Sequence, residues 1–145
     1  MELSAGITPA GRGQDEVAWS ILGHRYLRKA ECAACFCFET HDPPGTFVPP
    51  HVHPDQDEFI YVLEGVIDLR LGPDEAQARP GDLVRMPRGV VHAYYNRQPV
   101  PARALFWVTP TGRLRELFDQ LHELADLDEV VRRSRACGVE FVAPT

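Results

Sequence analysis

From residue 24 to residue 109 the chain reads as a succession of short apolar runs separated by turn chemistry. Candidate strands fall at 24–30, 32–40, 45–53, 59–64, 66–71, 76–79, 83–86, 91–96 and 103–109. Between them lie Asp42-Pro43-Pro44-Gly45, Leu71-Gly72-Pro73-Asp74, Arg79-Pro80-Gly81-Asp82 and Pro87-Arg88-Gly89. Proline fixes φ and glycine supplies the positive φ that tight turns need, so these clusters end strands. Many short strands with such punctuation predict an all-β, two-layer or closed antiparallel architecture.

The ends of the chain differ. Gly6, Pro9, Gly11 and Gly13 break any period in residues 1–18, which predicts an N-terminal arm or a partner-exchanged segment. Residues 19–110 are expected to form the β domain. In residues 111–145, Leu114, Leu117, Phe118, Leu121 and Leu124 recur at three and four, the stripe of an amphipathic helix. Pro110 or Thr111 is expected to start it. Asp126-x-x-Glu129 reads as a capping box opening a second helix, which Gly138 ends. This helical tail is expected to pack its stripe over the outside or one end of the β domain. Arg132, Arg133 and Arg135 read as a solvated face near a helix C-terminus.

At 145 residues one domain is the expectation. A formal net charge of -6 argues against nucleic acid and anionic membrane surfaces, which reward clustered positive charge. No apolar run approaches the ~20 residues of a membrane span, and the first residues lack a basic start followed by an apolar stretch. A cytoplasmic protein with reduced cysteines is therefore expected. Cys32, Cys35 and Cys37 sit among alanine and phenylalanine and read as buried structural thiols.

The chemistry concentrates in two stretches. His51 and His53 are two apart, so on an extended strand they share a face about 6.6 Å apart along the chain. Pro49, Pro50 and Pro54 hold that stretch extended. Glu58 follows after enough chain to turn back, and His92 comes from a later strand behind a turn at Pro87 and Gly89. Imidazoles and a carboxylate in this arrangement can converge on one ion. His24, His41 and His122 have no ligand-like neighbour in sequence and read as structural.

These residues fall on a known pattern. G-x5-H-x-H-x4-E-x6-G is matched by Gly45, His51, His53, Glu58 and Gly65. G-x5-P-x-G-x2-H-x3-N is matched by Gly81, Pro87, Gly89, His92 and Asn96. In both motifs the chain resembles the cupin superfamily. The resemblance implies a single jelly-roll β-barrel, with His51, His53, Glu58 and His92 as ligands to one divalent transition-metal ion: Fe, Mn, Ni, Co, Cu or Zn. Shorter features, among them Glu58-Phe59-Ile60-Tyr61-Val62-Leu63-Glu64-Gly65 and the tail after Val108-Thr109-Pro110, resemble small single-domain cupins related to quercetin 2,3-dioxygenase. That implies a dioxygenase binding a small-molecule substrate and O2 at the metal. Glu58 would be ligand and proton acceptor, a role calling for a raised carboxyl pKa. It also implies a homodimer.

Strand parity adds a pocket. Phe47 shares parity with His51, Tyr94 with His92, and Ile60 and Val62 with Glu58, while Met86 and Phe106 lie on nearby strands. If these faces point inward, the cavity is apolar and suits a flat or aromatic ligand, with Tyr94 as its polar contact. Three functions share this frame: a dioxygenase acting on an aromatic or polyketide-like molecule, a redox-neutral isomerase, cyclase or decarboxylase, and a non-catalytic metabolite-binding module.

Overall fold

A computed structural model describes residues 2–142. Eleven strands follow in order: β1 (Ala18–Ile21), β2 (His24–Glu31), β3 (Phe36–Asp42), β4 (Phe47–Val52), β5 (Asp57–Glu64), β6 (Ile67–Leu71), β7 (Asp74–Ala78), β8 (Leu83–Met86), β9 (His92–Tyr95), β10 (Ala102–Thr109) and β11 (Glu140–Phe141). Two helices, α1 (Leu114–Leu121) and α2 (Leu127–Ala136), lie between β10 and β11. The strands form two antiparallel sheets, ordered β1-β2-β3-β10-β5-β8 and β11-β4-β9-β6-β7. This is an all-β double-stranded β-helix. The expected barrel is corrected in one respect: the sheets face each other but do not close into one hydrogen-bonded ring.

Alternation builds the core. In β10 alternate residues Ala102, Ala104, Phe106 and Val108 are buried, and in β5 Glu58, Ile60 and Val62 are. Phe36, Phe38, Phe106 and Tyr94 fill the space between the sheets in tilted or stacked contact. Gly65, at φ 75, closes the β5–β6 turn; a Cβ there would come within 2.7 Å of the Pro101 carbonyl oxygen, so only glycine fits.

The helical stripe packs as the sequence predicts, and of the two placements expected it takes the end of the β domain, against the core between the sheets. Leu114, Leu117, Phe118 and Leu121 are buried. The Phe118 ring sits 4.9 Å from Phe38, 5.1 Å from Tyr26 and 5.3 Å from Trp19. Trp19 Nε1 donates to Asp119 at 2.9 Å, pinning α1 to β1. α1 starts at Leu114, later than expected, because Thr111 turns its hydroxyl to the Cys32 carbonyl. Asp126 caps α2 by accepting from the Asp128 and Glu129 amides. Gly138 ends it: its own amide reaches the Arg135 carbonyl and the Val139 amide reaches that of Ser134.

The segment before β1 lies against β2. Thr8 donates to the Lys29 carbonyl, the Lys29 ammonium reaches the carbonyls of Pro9 and Arg12, and Arg28 holds Gln14 and Asp15. No helix of the described residues is long and apolar enough to cross a membrane.

Candidate metal centre

β4, β5 and β9 bring His51, His53, Glu58 and His92 together. All four are buried, and one donor atom from each lies within 4.8 Å of the others. β4 pairs with β9 so that His51 stands opposite His92, their rings 4.3 Å apart. His53 lies just past the end of β4, its ring 5.2 Å from His51 and 5.4 Å from His92. Glu58 comes from the facing sheet, near the start of β5.

Hydrogen bonds fix each ring. His51 Nδ1 lies 2.8 Å from the Pro49 carbonyl, His53 Nδ1 2.9 Å from Gln56 Oε1, and His92 Nδ1 3.2 Å from the Val90 carbonyl. All three partners are acceptors, so each Nδ1 carries the proton and each Nε2 keeps its lone pair. Glu58 Oε1 lies 3.1 Å from His92 Nε2, and Oε2 lies 3.9 Å from His53 Nε2. Lone pairs and a carboxylate facing each other out of water repel unless a cation lies among them. Burial, then the neighbouring His92 and His53, push His51 down to about 3, so it stays neutral. Burial alone would lift the Glu58 carboxyl, but without an ion the charge that His53, His92 and His51 carry when protonated outweighs it and holds it at about 2. Neutral nitrogen donors plus one carboxylate suit a divalent transition ion. Donors on opposite sides of one ion would be about 4.2 Å apart at typical bond lengths. The observed spread of up to 4.8 Å exceeds that by no more than about 0.6 Å. The depressed carboxyl is ionised and so available as an oxygen ligand.

Beside the donors lies a cavity of about 70 Å³, lined by His51, His53, Glu58, Tyr94 and Phe106 from the sheets and by Leu117, Leu121 and Phe141 from the tail. Neither lysine nor arginine lines it among the described residues. Of the pocket residues expected from parity, Tyr94 and Phe106 border this cavity, while Ile60, Val62 and Met86 are buried in the core outside its lining. Phe47 requires correction. It is 50% exposed and stacks on Tyr95 outside the sheets. The register slips by one residue between Val48 and His51, a bulge at Pro49 and Pro50 that inverts parity, so Val48 takes the inward place instead.

Tyr94 shares its hydroxyl with Tyr26, 2.8 Å away. Burial pushes both phenols well above their ordinary range, so both remain protonated donors. Tyr26, Gln56 and Phe141 were not marked by the sequence reading. Gln56 sits in a polar run, Asp55-Gln56-Asp57, with no period to single it out, yet its amide nitrogen reaches the Pro110 and Thr111 carbonyls while its oxygen holds His53. The other histidines are structural: His24 pairs with Asp42, His41 with Glu39, and His122 accepts from the Ser20 amide. Cys32, Cys35 and Cys37 are half-buried rather than buried, and burial pushes the Cys37 thiol up to about 12.

The cupin domain family matches residues 38–108, the span that holds all four donors. Over that span the chain is similar to a cupin domain. The chain is 34% identical over 74 residues to the tetracenomycin polyketide synthase protein TcmJ of Streptomyces glaucescens, covering 51% of this chain and 50% of that protein. It is 34% identical over 67 residues to a germin-like protein of Arabidopsis thaliana, covering 43% and 31%. The chain spans half or less of the length of these curated relatives. An RmlC-like cupin from Shewanella frigidimarina superposes with a TM-score of 0.66 at 16% identity, covering 77% of this chain and 96% of that one. A sugar phosphate isomerase of the cupin superfamily from Silicibacter pomeroyi superposes at 0.57 and 27% identity, covering 73% and 70%.

Proposed function

We propose that this protein is a metal-dependent dioxygenase acting on a flat aromatic or polyketide-like small molecule. The observation that carries this reading is the contrast inside one cavity. His51, His53, Glu58 and His92 form a buried donor set, while most of the remaining lining is apolar. Four protein donors leave two positions free on an octahedral ion. A redox-active ion held there supplies Lewis acidity and the electron transfer that couples an organic substrate to O2.

The chain's own residues do the rest. Glu58, ionised, would help hold the ion and offset part of its charge. The Tyr26–Tyr94 pair has two hydroxyl protons for one mutual hydrogen bond, so one remains to donate to a substrate oxygen in the cavity. Phe106 and Leu117 exclude water from around the donors. The likeness to a polyketide synthase protein supports a polyketide-like substrate class. A sugar phosphate fits less well, because no cationic side chain lines the cavity to meet a phosphate.

Redox-neutral cyclisation or isomerisation at the same ion is the second reading, favoured by the likeness to an isomerase. Elemental analysis of the isolated protein, with O2 uptake on a panel of flavonols and polyphenols, separates the two. The dioxygenase reading expects a stoichiometric redox-active ion and O2 consumption that His92→Ala abolishes. Product formed at an unchanged rate under nitrogen transfers the assignment to the redox-neutral reading.

A further inference from the structure

The cavity beside the donors is too small for the substrate class just proposed. Pockets for organic ligands of several rings run to roughly 300–1,000 Å³, against about 70 Å³ here. A groove of about 700 Å³ lies on the other side of a thin wall. It is lined mainly by Leu22, Phe47, Leu124, Leu127, Val131 and Phe141. Phe47, Leu127 and Val131 leave large apolar surfaces open to solvent, at 50%, 67% and 37% exposure. Leu22 and Phe141 border both spaces, so they form the wall between them.

One wall residue lies on a short edge strand and the other in a turn. Phe141 belongs to β11, a two-residue edge strand paired to β4 on one side only. So short an edge opens at a small fraction of the cost of global unfolding. Its ring lies 5.6 Å from the His51 ring, tilted against it, and borders the same cavity as the donors. Leu22, in the turn joining β1 to β2, has φ 51, a left-handed conformation that leucine rarely adopts. Such strain persists where the surroundings hold it and marks sites of function.

We propose that the groove is the outer subsite for a flat aromatic substrate with adjacent oxygen donors, and that Phe141 is the gate it displaces to reach the metal. The proposal rests on the metal-dependent reading above. The rings lie along Leu127 and Val131, the Phe141 ring swings away from His51, and the paired oxygens enter the cavity beside Tyr94. Small ligands pass the closed gate, and polycyclic ones wait for it to open.

The test uses the full chain, two probes and two readouts. In metal-free protein, the fluorescence of 2,3-dihydroxynaphthalene reports its transfer into the apolar groove. In iron(III)-loaded protein, stopped-flow charge-transfer absorbance follows the same diol and, separately, azide. Phe141→Ala is expected to speed diol coordination about tenfold and Phe141→Trp to slow it about tenfold, with azide changed less than about twofold in either. Val131→Glu is expected to weaken the metal-free fluorescence titration about tenfold while leaving azide coordination intact. Diol rates within about twofold of wild type in both Phe141 variants, or diol and azide responding alike, would overturn the gate. A fluorescence titration insensitive to Val131→Glu, or absent, overturns the groove. Failure to retain iron or to coordinate azide counts instead against the metal reading, because the metal-free arm still reads the groove.

Discussion

Gln56 shows how much of a metal site can rest on one side chain that never touches the ion. Its oxygen accepts from His53 Nδ1, and its nitrogen is held by two carbonyls of the β10–α1 connection. It therefore sets both the tautomer and the angle of the His53 ring. Gln56→Leu removes the acceptor, and metal affinity is expected to fall by roughly 10–100-fold, as for other carboxylate or carbonyl partners of ligating histidines. Gln56→Glu keeps an oxygen for Nδ1 and is expected to lose less, although it gives up the donor to Pro110 and Thr111. Competition against a chelator of known affinity measures both; equal affinities for wild type and Gln56→Leu would contradict the role. The donors themselves were legible in the sequence because His51 and His53 stand two apart on an extended stretch and the two motifs carry Glu58 and His92. Gln56 was not, since a hydrogen bond to a distant loop leaves no period in its own neighbourhood.

Secondary structure was legible wherever one period ran uninterrupted. The alternation of β5 and β10 and the helical stripe of α1 place side chains as the sequence implies. It failed where two periods met or an element was too short to show one. The bulge at Pro49 and Pro50 turned Phe47 outward within a single strand, and β1 and β11, at four and two residues, carry no pattern of their own. β1 is a strand because its neighbours make it one: the Ser20 amide and carbonyl on its free edge are taken up by His122 and the Glu123 amide at the end of α1. That makes α1 the plug of the fold as well as one wall of the cavity. Phe118→Ala deletes the ring shared by Trp19, Tyr26, Phe36 and Phe38 and is expected to cost about 3–5 kcal/mol. For a chain of this length that lowers Tm by roughly 6–20 °C, readable by calorimetry. A loss under about 1 kcal/mol would mean that α1 is not seated between the sheets. Asp126→Ala, removing the α2 cap on the far side of the tail, is expected to cost only about 1 kcal/mol.

The donor set also links the two sheets, since His51 and His92 belong to one and Glu58 to the other. An ion held by all of them cross-braces the molecule, so stability and occupancy rise together. At a free metal concentration about a thousand times Kd, the gain is about 4 kcal/mol, or roughly 8–16 °C in Tm. The same groups make the metal-free protein acid-sensitive, and the direction follows from their shifts. His51 is held down to about 3 when folded, so below its ordinary range near 6.5 the unfolded chain takes a proton that the folded one refuses. Glu58 is held at about 2 and adds a second such step below about 4.5. Wherever the unfolded state binds more protons, stability is lost as the pH drops. In EDTA the His51 step alone is expected to remove on the order of 2–3 kcal/mol between pH 7 and pH 4.5. His51→Gln should flatten that part of the profile, leaving the Glu58 step at lower pH. With saturating Mn(II) or Co(II), the gain over EDTA should be largest at pH 7 and shrink toward pH 5, because protons and the ion compete for the same lone pairs. A metal-free Tm that stays level from pH 7 to pH 4.5 would mean that these imidazoles are open to water, and the buried donor set would have to be abandoned.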